Sequence, residues 1–187
     1  MVIAPRVNMK GVIFNLLEQA VSTEFGEATW DMLLNEANLS GAYTSLGSYS
    51  DDEIVALVGV ASRALNLPPF DVLRWFGQRA MPLLFARHPS FFSDHADTHG
   101  FLLTLNDIIH PEVHKLYPGA ITPVFDFGVS DDGDLVIGYI SPRKLCALAE
   151  GFIRGSAEHF HEQVDIRQQQ CMHDGASKCV FHVRLHQ

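Results

Sequence analysis

Apolar residues recur every three or four positions through the first half of the chain, which is the spacing of one face of an α-helix. The clearest run extends from Met9 to Phe25. The same spacing predicts helices over 28–39, from 51 to a break at 66–69, over 71–85 and over about 97–116. Ser50 and Glu53 form a capping box that opens the third helix. We expect Pro82 to kink or end the fourth.

The second half of the chain changes to the shorter period of strands. Strands are predicted over 124–129, 135–140, 163–172 and 178–185. Ser141 followed by Pro142 is a common helix start, and we expect the helix that it opens to continue to about His161. This order predicts an α+β fold, in which an N-terminal helical lobe is followed by a mostly antiparallel four-stranded sheet with helices.

Composition narrows the classes of function. The chain has 187 residues, of which 47% are hydrophobic, and this is enough for one well-packed domain. Its 13 basic and 22 acidic residues give a formal charge of −9, so we expect no nucleic-acid partner and no attraction to an anionic membrane. No apolar run approaches the roughly 18 residues that span a bilayer. The first residues also lack a signal-peptide pattern, and we therefore expect a cytoplasmic location.

Two histidines are the first candidates for chemistry. His110 and His114 are four residues apart and would share one face of a helix. The zinc-protease pattern is excluded, because Pro111 stands where that pattern needs a glutamate. Pro111 also disfavours helical geometry at the preceding residue, so we expect His110 at a kink.

A second candidate lies at the end of the strand predicted over 135–140. Tyr139 and Ser141 are two residues apart and share a face, and Arg143 follows in the next turn. Two hydroxyls and a planar guanidinium that converge on one spot favour the binding of carboxylates. Taken alone, the same string also fits a strand end followed by a surface arginine.

Together the two motifs resemble a known family. The stretch FLLTLNDIIHPEVHKLYPGAITP, from Phe101 to Pro123, is followed by YISPR. This arrangement is similar to haem nitric oxide/oxygen-binding (H-NOX) domains of the bacterial stand-alone type, which are related to the haem domain of soluble guanylate cyclase. Met9-Lys10-Gly11 resembles the usual start of the family.

The resemblance implies a division of the chain. Residues 1–8 would be an N-terminal extension, and 9–187 would form a single haem domain. Within it we expect a helical lobe over about 9–65 and a haem-binding lobe over about 66–187. The cofactor implied is haem b, held between the helices and the sheet.

The resemblance also implies a role for each motif. His110 matches the axial ligand of the haem iron, and a neutral imidazole suits iron. Tyr139, Ser141 and Arg143 match the residues that bind the haem propionates, and Pro123 matches a proline that presses on the porphyrin. The expected pocket is lined by Ile13, Ala80, Leu84, Leu105, Ile109, Pro123, Leu148 and Phe152. Each of these side chains, taken singly, equally suits an ordinary core position.

The choice of gas depends on hydrogen-bond donors in the pocket. Members of the family that bind oxygen have a tyrosine where this chain has Leu148, and the neighbouring positions Ile13, Ala80 and Leu84 carry no donor either. Dioxygen at haem has superoxide-like charge and needs a donor, whereas nitric oxide and carbon monoxide need one far less. We therefore expect a ferrous haem that binds nitric oxide and carbon monoxide and excludes oxygen.

The resemblance further implies a switch, not an enzyme. Nitric oxide would weaken the bond between iron and His110, release the helix that carries this residue and let the haem relax. In bacterial relatives the partner that reads such a change is commonly a histidine kinase or a cyclic-di-GMP enzyme. We expect signalling in trans to a partner of this kind.

The cysteines form a third candidate site. Some relatives bind zinc at the corresponding place through three cysteines and one histidine, but the fourth position, three residues before Cys171, is Gln168 here. The candidate zinc ligands are Cys146, Cys171, Cys179 and either His161 or His173. Zinc normally takes four ligands in a structural site, so three reduced core cysteines are an equal alternative.

Two further hypotheses of function remain open on the sequence. One is a zinc-thiolate redox-sensing module built on the three cysteines. The other is a metal-dependent enzyme that uses His110 and His114. That enzyme would need a carboxylate base nearby, and Glu112 points away from both histidines on a helix.

Overall fold

The computed structural model describes residues 8–186, so seven of the eight residues of the predicted N-terminal extension lie outside the described part. The helices are α1 (Gly11–Phe25), α2 (Glu27–Ala37), α3 (Asp51–Leu65), α4 (Pro69–Arg87), α5 (Thr98–Leu103), α6 (His110–Leu116) and α7 (Cys146–His159). The strands are β1 (Asn8–Lys10), β2 (Ser48–Ser50), β3 (Val124–Val129), β4 (Leu135–Ile140), β5 (Gln163–Gln170) and β6 (Cys179–His186). A π-helical turn (Leu105–Ile109) precedes α6, and short 3₁₀ turns cover Pro89–Phe91 and Met172–Asp174.

The four strands of the second half form one antiparallel sheet in the order β3-β4-β6-β5, which confirms the predicted α+β class. In its register, Tyr139 of β4 pairs with Phe125 on one side and with Cys179 on the other. The pairing of β5 with β6 is interrupted by a bulge between Gln168 and Gln170. The sheet therefore places the end of β4 next to the cysteine-bearing start of β6.

Two hydrophobic clusters meet at helices α4 and α7. One cluster holds the apolar faces of α1 to α4, and the other lies between α5, the sheet and one face of α7. Glycines allow the two helices to approach closely, because a Cβ on Gly151 would lie 2.2 Å from the carbonyl oxygen of Arg74. The space between the clusters is the candidate functional site.

Several boundaries differ from the sequence prediction. Pro82 lies inside α4 and does not end it, because the packing of α4 on α7 outweighs the hydrogen bond that proline removes. Ser141 does not cap a helix, since residues 141–145 form a turn with Lys144 at a positive φ of 53° and α7 begins only at Cys146. Ser50, in contrast, is confirmed as the N-cap of α3, where its Oγ accepts a hydrogen bond from the backbone N–H of Asp52.

Other differences come from long-range pairing. The helix predicted from Met9 begins at Gly11, because Met9 and Lys10 pair with Tyr49 and Ser48 in a two-stranded sheet. The helix predicted over 97–116 is divided by the π-helical turn. Among the described residues, no helix is both long enough and apolar enough to cross a membrane.

Candidate functional site

His110 is positioned by an irregular stretch of helix. It is the first residue of α6, directly after the π-helical turn, and Pro111 follows it. Proline lacks an N–H and clashes with the preceding turn of a regular helix, so the chain widens just before it. Asn106 fixes this turn to β3, since its Nδ2 donates to the carbonyl oxygen of Phe125 at 2.6 Å and its Oδ1 accepts from the Phe125 N–H at 3.1 Å. The expected irregularity at His110 is present.

The environment of His110 keeps its ring neutral. Burial lowers the pKa of the imidazole to about 4, and the positive charge that His114 can carry contributes in the same direction. The ring lies beside that of Phe125, with 5.8 Å between the ring centres. No described residue forms a hydrogen bond with the His110 side chain. A neutral imidazole with a free nitrogen lone pair is the form that ligates a metal.

His110 borders a cavity of about 280 Å³ between the two hydrophobic clusters. Of the pocket residues predicted from the sequence, seven line it: Ile13, Leu84, Leu105, Ile109, Pro123, Leu148 and Phe152. Ala80 does not, because it is fully buried within the helical core. The lining is therefore mostly apolar, as a large hydrophobic ligand requires.

The predicted carboxylate-binding residues lie at one side of this cavity. Tyr139, Ser141 and Arg143 all contribute to its lining, and the first two are buried. Burial raises the pKa of Tyr139 to about 12, so its hydroxyl stays protonated and able to donate a hydrogen bond. The structure thus brings together the two motifs, which are separated by almost 30 residues in the sequence.

The guanidinium of Arg143 joins three segments of the chain. Its Nε donates to Asp51 Oδ2 at 2.9 Å, and its two terminal nitrogens donate to the carbonyl oxygens of Ile121, at 2.7 Å, and of Asn8, at 2.5 Å. Asp51 Oδ1 is buried and has no hydrogen-bond partner among the described residues. Burial raises the pKa of Asp51, and the charge of Arg143 opposes that shift. The sequence analysis placed position 51 only at the start of a predicted helix and missed this ion pair.

The polar lining residues that the sequence prediction missed already have hydrogen-bond partners within the protein. His88 Nε2 and the Tyr117 hydroxyl are 3.2 Å apart, and Ser156 Oγ donates to the carbonyl oxygen of Phe152 at 2.8 Å. Lys10 Nζ donates to Leu46 and Ser48. The YPG string at 117–119 was a signal for Tyr117, but nothing near His88 in the sequence indicated a partner so far along the chain.

His114 does not join His110 in a site. Its side chain is exposed, and its Nε2 lies 3.1 Å from Thr122 Oγ1. Glu112 pairs with Lys115 at 2.5 Å. The hypothesis of a metal-dependent enzyme built on two histidines and a carboxylate therefore has no support in the described geometry.

The three cysteines do come together. The sulfur atoms of Cys146, Cys171 and Cys179 all lie within 4.8 Å of one another. Neither His161 nor His173 completes a four-ligand site, because no histidine nitrogen of the described residues lies within that distance of all three sulfurs. His173 Nε2 instead lies 2.8 Å from the carbonyl oxygen of Lys144. A fourth zinc ligand from either histidine therefore stays a prediction that this geometry does not support.

The cavity, the imidazole and the polar edge define one kind of ligand. A neutral nitrogen from His110 suits a metal centre, the apolar walls suit a large flat hydrophobic body, and the donors of Tyr139, Ser141 and Arg143 suit carboxylates on one edge of it. The residues present therefore fit a metalloporphyrin with carboxylate side chains.

Comparisons with known proteins agree with this chemistry. A family model described as Haem-NO-binding matches residues 10–168. The structure is similar to an H-NOX protein from S. oneidensis solved in the Fe(II)NO state, with 34% identity, coverage of 96% of this chain and 100% of that chain, and a TM-score of 0.89. It is also similar to the H-NOX from Shewanella woodyi in the Fe(II)CO state, with 33% identity, coverage of 94% and 93%, and a TM-score of 0.78. An unliganded Fe(II) H-NOX protein from K. algicida matches at 25% identity, with coverage of 96% and 97% and a TM-score of 0.84.

Proposed function

The chain belongs to the haem-NO-binding family, whose H-NOX members are haem-based gas sensors, and from that premise we propose that it senses nitric oxide. The proposal is that ferrous haem held at His110 binds nitric oxide and carbon monoxide and excludes oxygen. The observation that carries it is the neutral, half-buried ring of His110 at an apolar cavity whose polar edge is formed by Tyr139, Ser141 and Arg143.

The proposal assigns a role to five residues that line the cavity. His110 would hold the iron, and Tyr139, Ser141 and Arg143 would hold the two propionates through charge-assisted and neutral hydrogen bonds. Pro123 lines the cavity and would press on the porphyrin plane. When bound, ferrous haem supplies an iron centre that takes diatomic gases.

The discrimination against oxygen would follow from the pairing of polar groups in the lining. Leu148 is 7% exposed and offers no donor at the position where oxygen-binding relatives have a tyrosine. The hydroxyl of Ser156 is already used by a backbone carbonyl, and His88 and Tyr117 are paired with each other. With Tyr139, Ser141 and Arg143 engaged by the propionates, a gas that needs a donor would have to break one of these bonds, whereas nitric oxide and carbon monoxide would not.

The switch would act through α6. This helix has only seven residues, and none of them is buried, whereas α7 buries ten of its fourteen. A short helix without buried side chains has little packing energy to hold it, so the attachment of His110 would decide its position. Its C-terminal end continues through Tyr117 to Ile121, whose carbonyl accepts from Arg143. A displacement of α6 would therefore reach the polar edge of the cavity and the loop beside it.

We propose that a partner protein reads this displacement and that the chain itself is not an enzyme. A histidine kinase or a cyclic-di-GMP enzyme is the expected partner. Support comes from exposed apolar side chains on and around α6, of which Ile108, Leu116 and Ile121 are each more than 40% exposed. Such side chains are suited to contact with another protein.

Spectra of the haem-loaded, reduced protein test the proposal. We expect a Soret band that shifts on addition of nitric oxide and of carbon monoxide, and only slow oxidation in air. The His110→Gly variant should lose haem and regain it, together with its response to nitric oxide, when free imidazole is added. A stable oxygen-dependent spectrum in air would overturn the selectivity, and a protein that does not take up haem would overturn the function.

A further inference from the structure

We propose that Cys146, Cys171 and Cys179 form a three-thiolate site for a soft monovalent metal ion, Cu(I), in trigonal coordination. The site is separate from the gas-binding cavity and does not depend on the proposed function. The three sulfurs lie within 4.8 Å of one another, and those of Cys146 and Cys171 are 3.9 Å apart. Three sulfurs that surround one ion at about 2.3 Å each are about 4 Å from their neighbours. The spacing thus needs little adjustment.

The cluster is preformed by local structure. Cys146 opens α7, and Cys179 opens β6, so two of the three thiols are fixed by regular elements. The carbonyl oxygen of Cys171 accepts hydrogen bonds from the N–H groups of Asp174 and Ala176, which closes the turn between the last two cysteines. A site that exists before the ion arrives binds it without an ordering cost.

Two features of the cluster favour the anionic form of sulfur that a metal needs. The backbone N–H of Met172 donates to Cys179 Sγ at 3.2 Å, and Cys146 lies at the N-terminus of a fourteen-residue helix, where the macrodipole favours negative charge. Burial opposes them and raises the pKa of Cys146 to about 12. A cation bound by the three sulfurs would displace their protons.

Among the described residues, the cluster has no fourth ligand of the kind that a structural zinc site takes. The position at which a histidine would complete such a site holds Gln168, whose Nε2 donates to the carbonyl oxygen of Gln170 at 3.2 Å. A neutral amide is a weak ligand for a borderline metal such as zinc. Thiolates bind both Cu(I) and zinc, but a structural zinc site normally takes four ligands, whereas three thiolates are enough for Cu(I). The number of ligands thus distinguishes the two metals.

Competition titrations under anaerobic conditions test the proposal on the full, haem-loaded chain. Cu(I) is titrated against bathocuproine disulfonate, and Zn(II) against a chromophoric zinc chelator. We expect the wild type to retain one Cu(I) per chain and to lose Zn(II) to the chelator. Gln168→His should raise the zinc affinity by about tenfold or more. Gln163→His, which adds a histidine at the far end of the same strand, should leave both affinities unchanged.

Two measurements show whether the cysteines are the ligands. The Cys171→Ser variant alters the half-buried thiol and should lose the Cu(I) while keeping the haem spectrum. In the wild type, bound Cu(I) should protect all three cysteines from alkylation, and this readout does not depend on a variant that folds. The proposal is overturned if the wild type holds Zn(II) as tightly as Gln168→His does, or if Cu(I) remains bound with the cysteines still open to alkylation.

Discussion

The selectivity for gases can be tested by placing one hydroxyl in the cavity. Leu148 lies in the first turns of α7, is almost fully buried and lines the cavity. Leu148→Tyr would add a donor at a position that has none, beside a cavity of about 280 Å³ that can accept part of the larger ring. Leu148→Phe adds the same ring without the hydroxyl and is the matched control.

The expected effect follows from the strength of one hydrogen bond to a partly charged acceptor. Such a bond contributes about 1.5–3 kcal/mol. At about 1.4 kcal/mol per tenfold, this raises the oxygen affinity of Leu148→Tyr by about 10- to 150-fold relative to Leu148→Phe. The affinity for carbon monoxide should change far less, because that ligand needs a donor less. Both variants bear the same packing cost of the ring, so their comparison isolates the hydroxyl.

The assay is a set of equilibrium spectra of the reduced proteins at increasing oxygen pressure, with a parallel series in carbon monoxide. Leu148→Tyr should show a saturable oxygen-dependent spectrum, and Leu148→Phe and the wild type should not. If the two variants bind oxygen equally, the missing donor at Leu148 is not what excludes oxygen. If the wild type already binds oxygen stably, the paired polar groups of the lining do not exclude it either.

Three further predictions concern stability. Burial lowers the pKa of His110 from 6.5 to about 4, so the unfolded chain takes up a proton at a higher pH than the folded one. The haem-free protein should therefore lose up to about 2 kcal/mol of unfolding free energy as the pH falls from 6.5 towards 4, after allowance for the ring's contact with water. Urea unfolding should show a smaller pH dependence in His110→Gln and an unchanged one in His99→Gln. Asp51→Asn leaves the Arg143 guanidinium without a countercharge, so we expect a loss of about 2–4 kcal/mol in the haem-free protein and a smaller loss with haem, whose propionates would replace the charge. Gly151→Ala forces a Cβ against the Arg74 carbonyl and should lower the free energy of unfolding by about 1–3 kcal/mol. Gly59→Ala, in an open part of α3, should not lower it. Thermal unfolding of the two variants measures the difference.

The sequence predicted most of the fold because its main signals are local. Apolar spacing located the helices, and the alternation after Val124 located the four strands of the sheet. The errors occur where distant segments decide the local structure. Met9 is a strand residue because it pairs with Tyr49, and Pro82 remains inside a helix because α4 is packed against α7. Neither partner can be seen in a window of neighbouring residues.

The candidate site was predictable to the extent that its chemistry is carried by rare residue types at fixed spacing. Two such patterns indicated the site from the sequence: His110 next to Pro111, and the hydroxyls and guanidinium from Tyr139 to Arg143. Asp51 and Asn106 were not, because an acidic residue in a helix cap and an asparagine in an apolar run have common local explanations. Only the tertiary structure brings Asp51 to the guanidinium, 92 residues along the chain.

The position of Arg143 explains how one site can connect both parts of the molecule. Its guanidinium contacts Asp51 at the start of α3, Asn8 in β1 of the two-stranded sheet, and Ile121 in the loop that leaves α6. Because the side chain is only 10% exposed, it cannot give up one of these partners to water without a large cost. A carboxylate that competes for the guanidinium, or a movement of the loop at Ile121, must therefore be compensated at the other contacts. The group that would recognise the ligand thus also joins the helical lobe to the loop that leaves α6, and we expect a change at one of these contacts to alter the others.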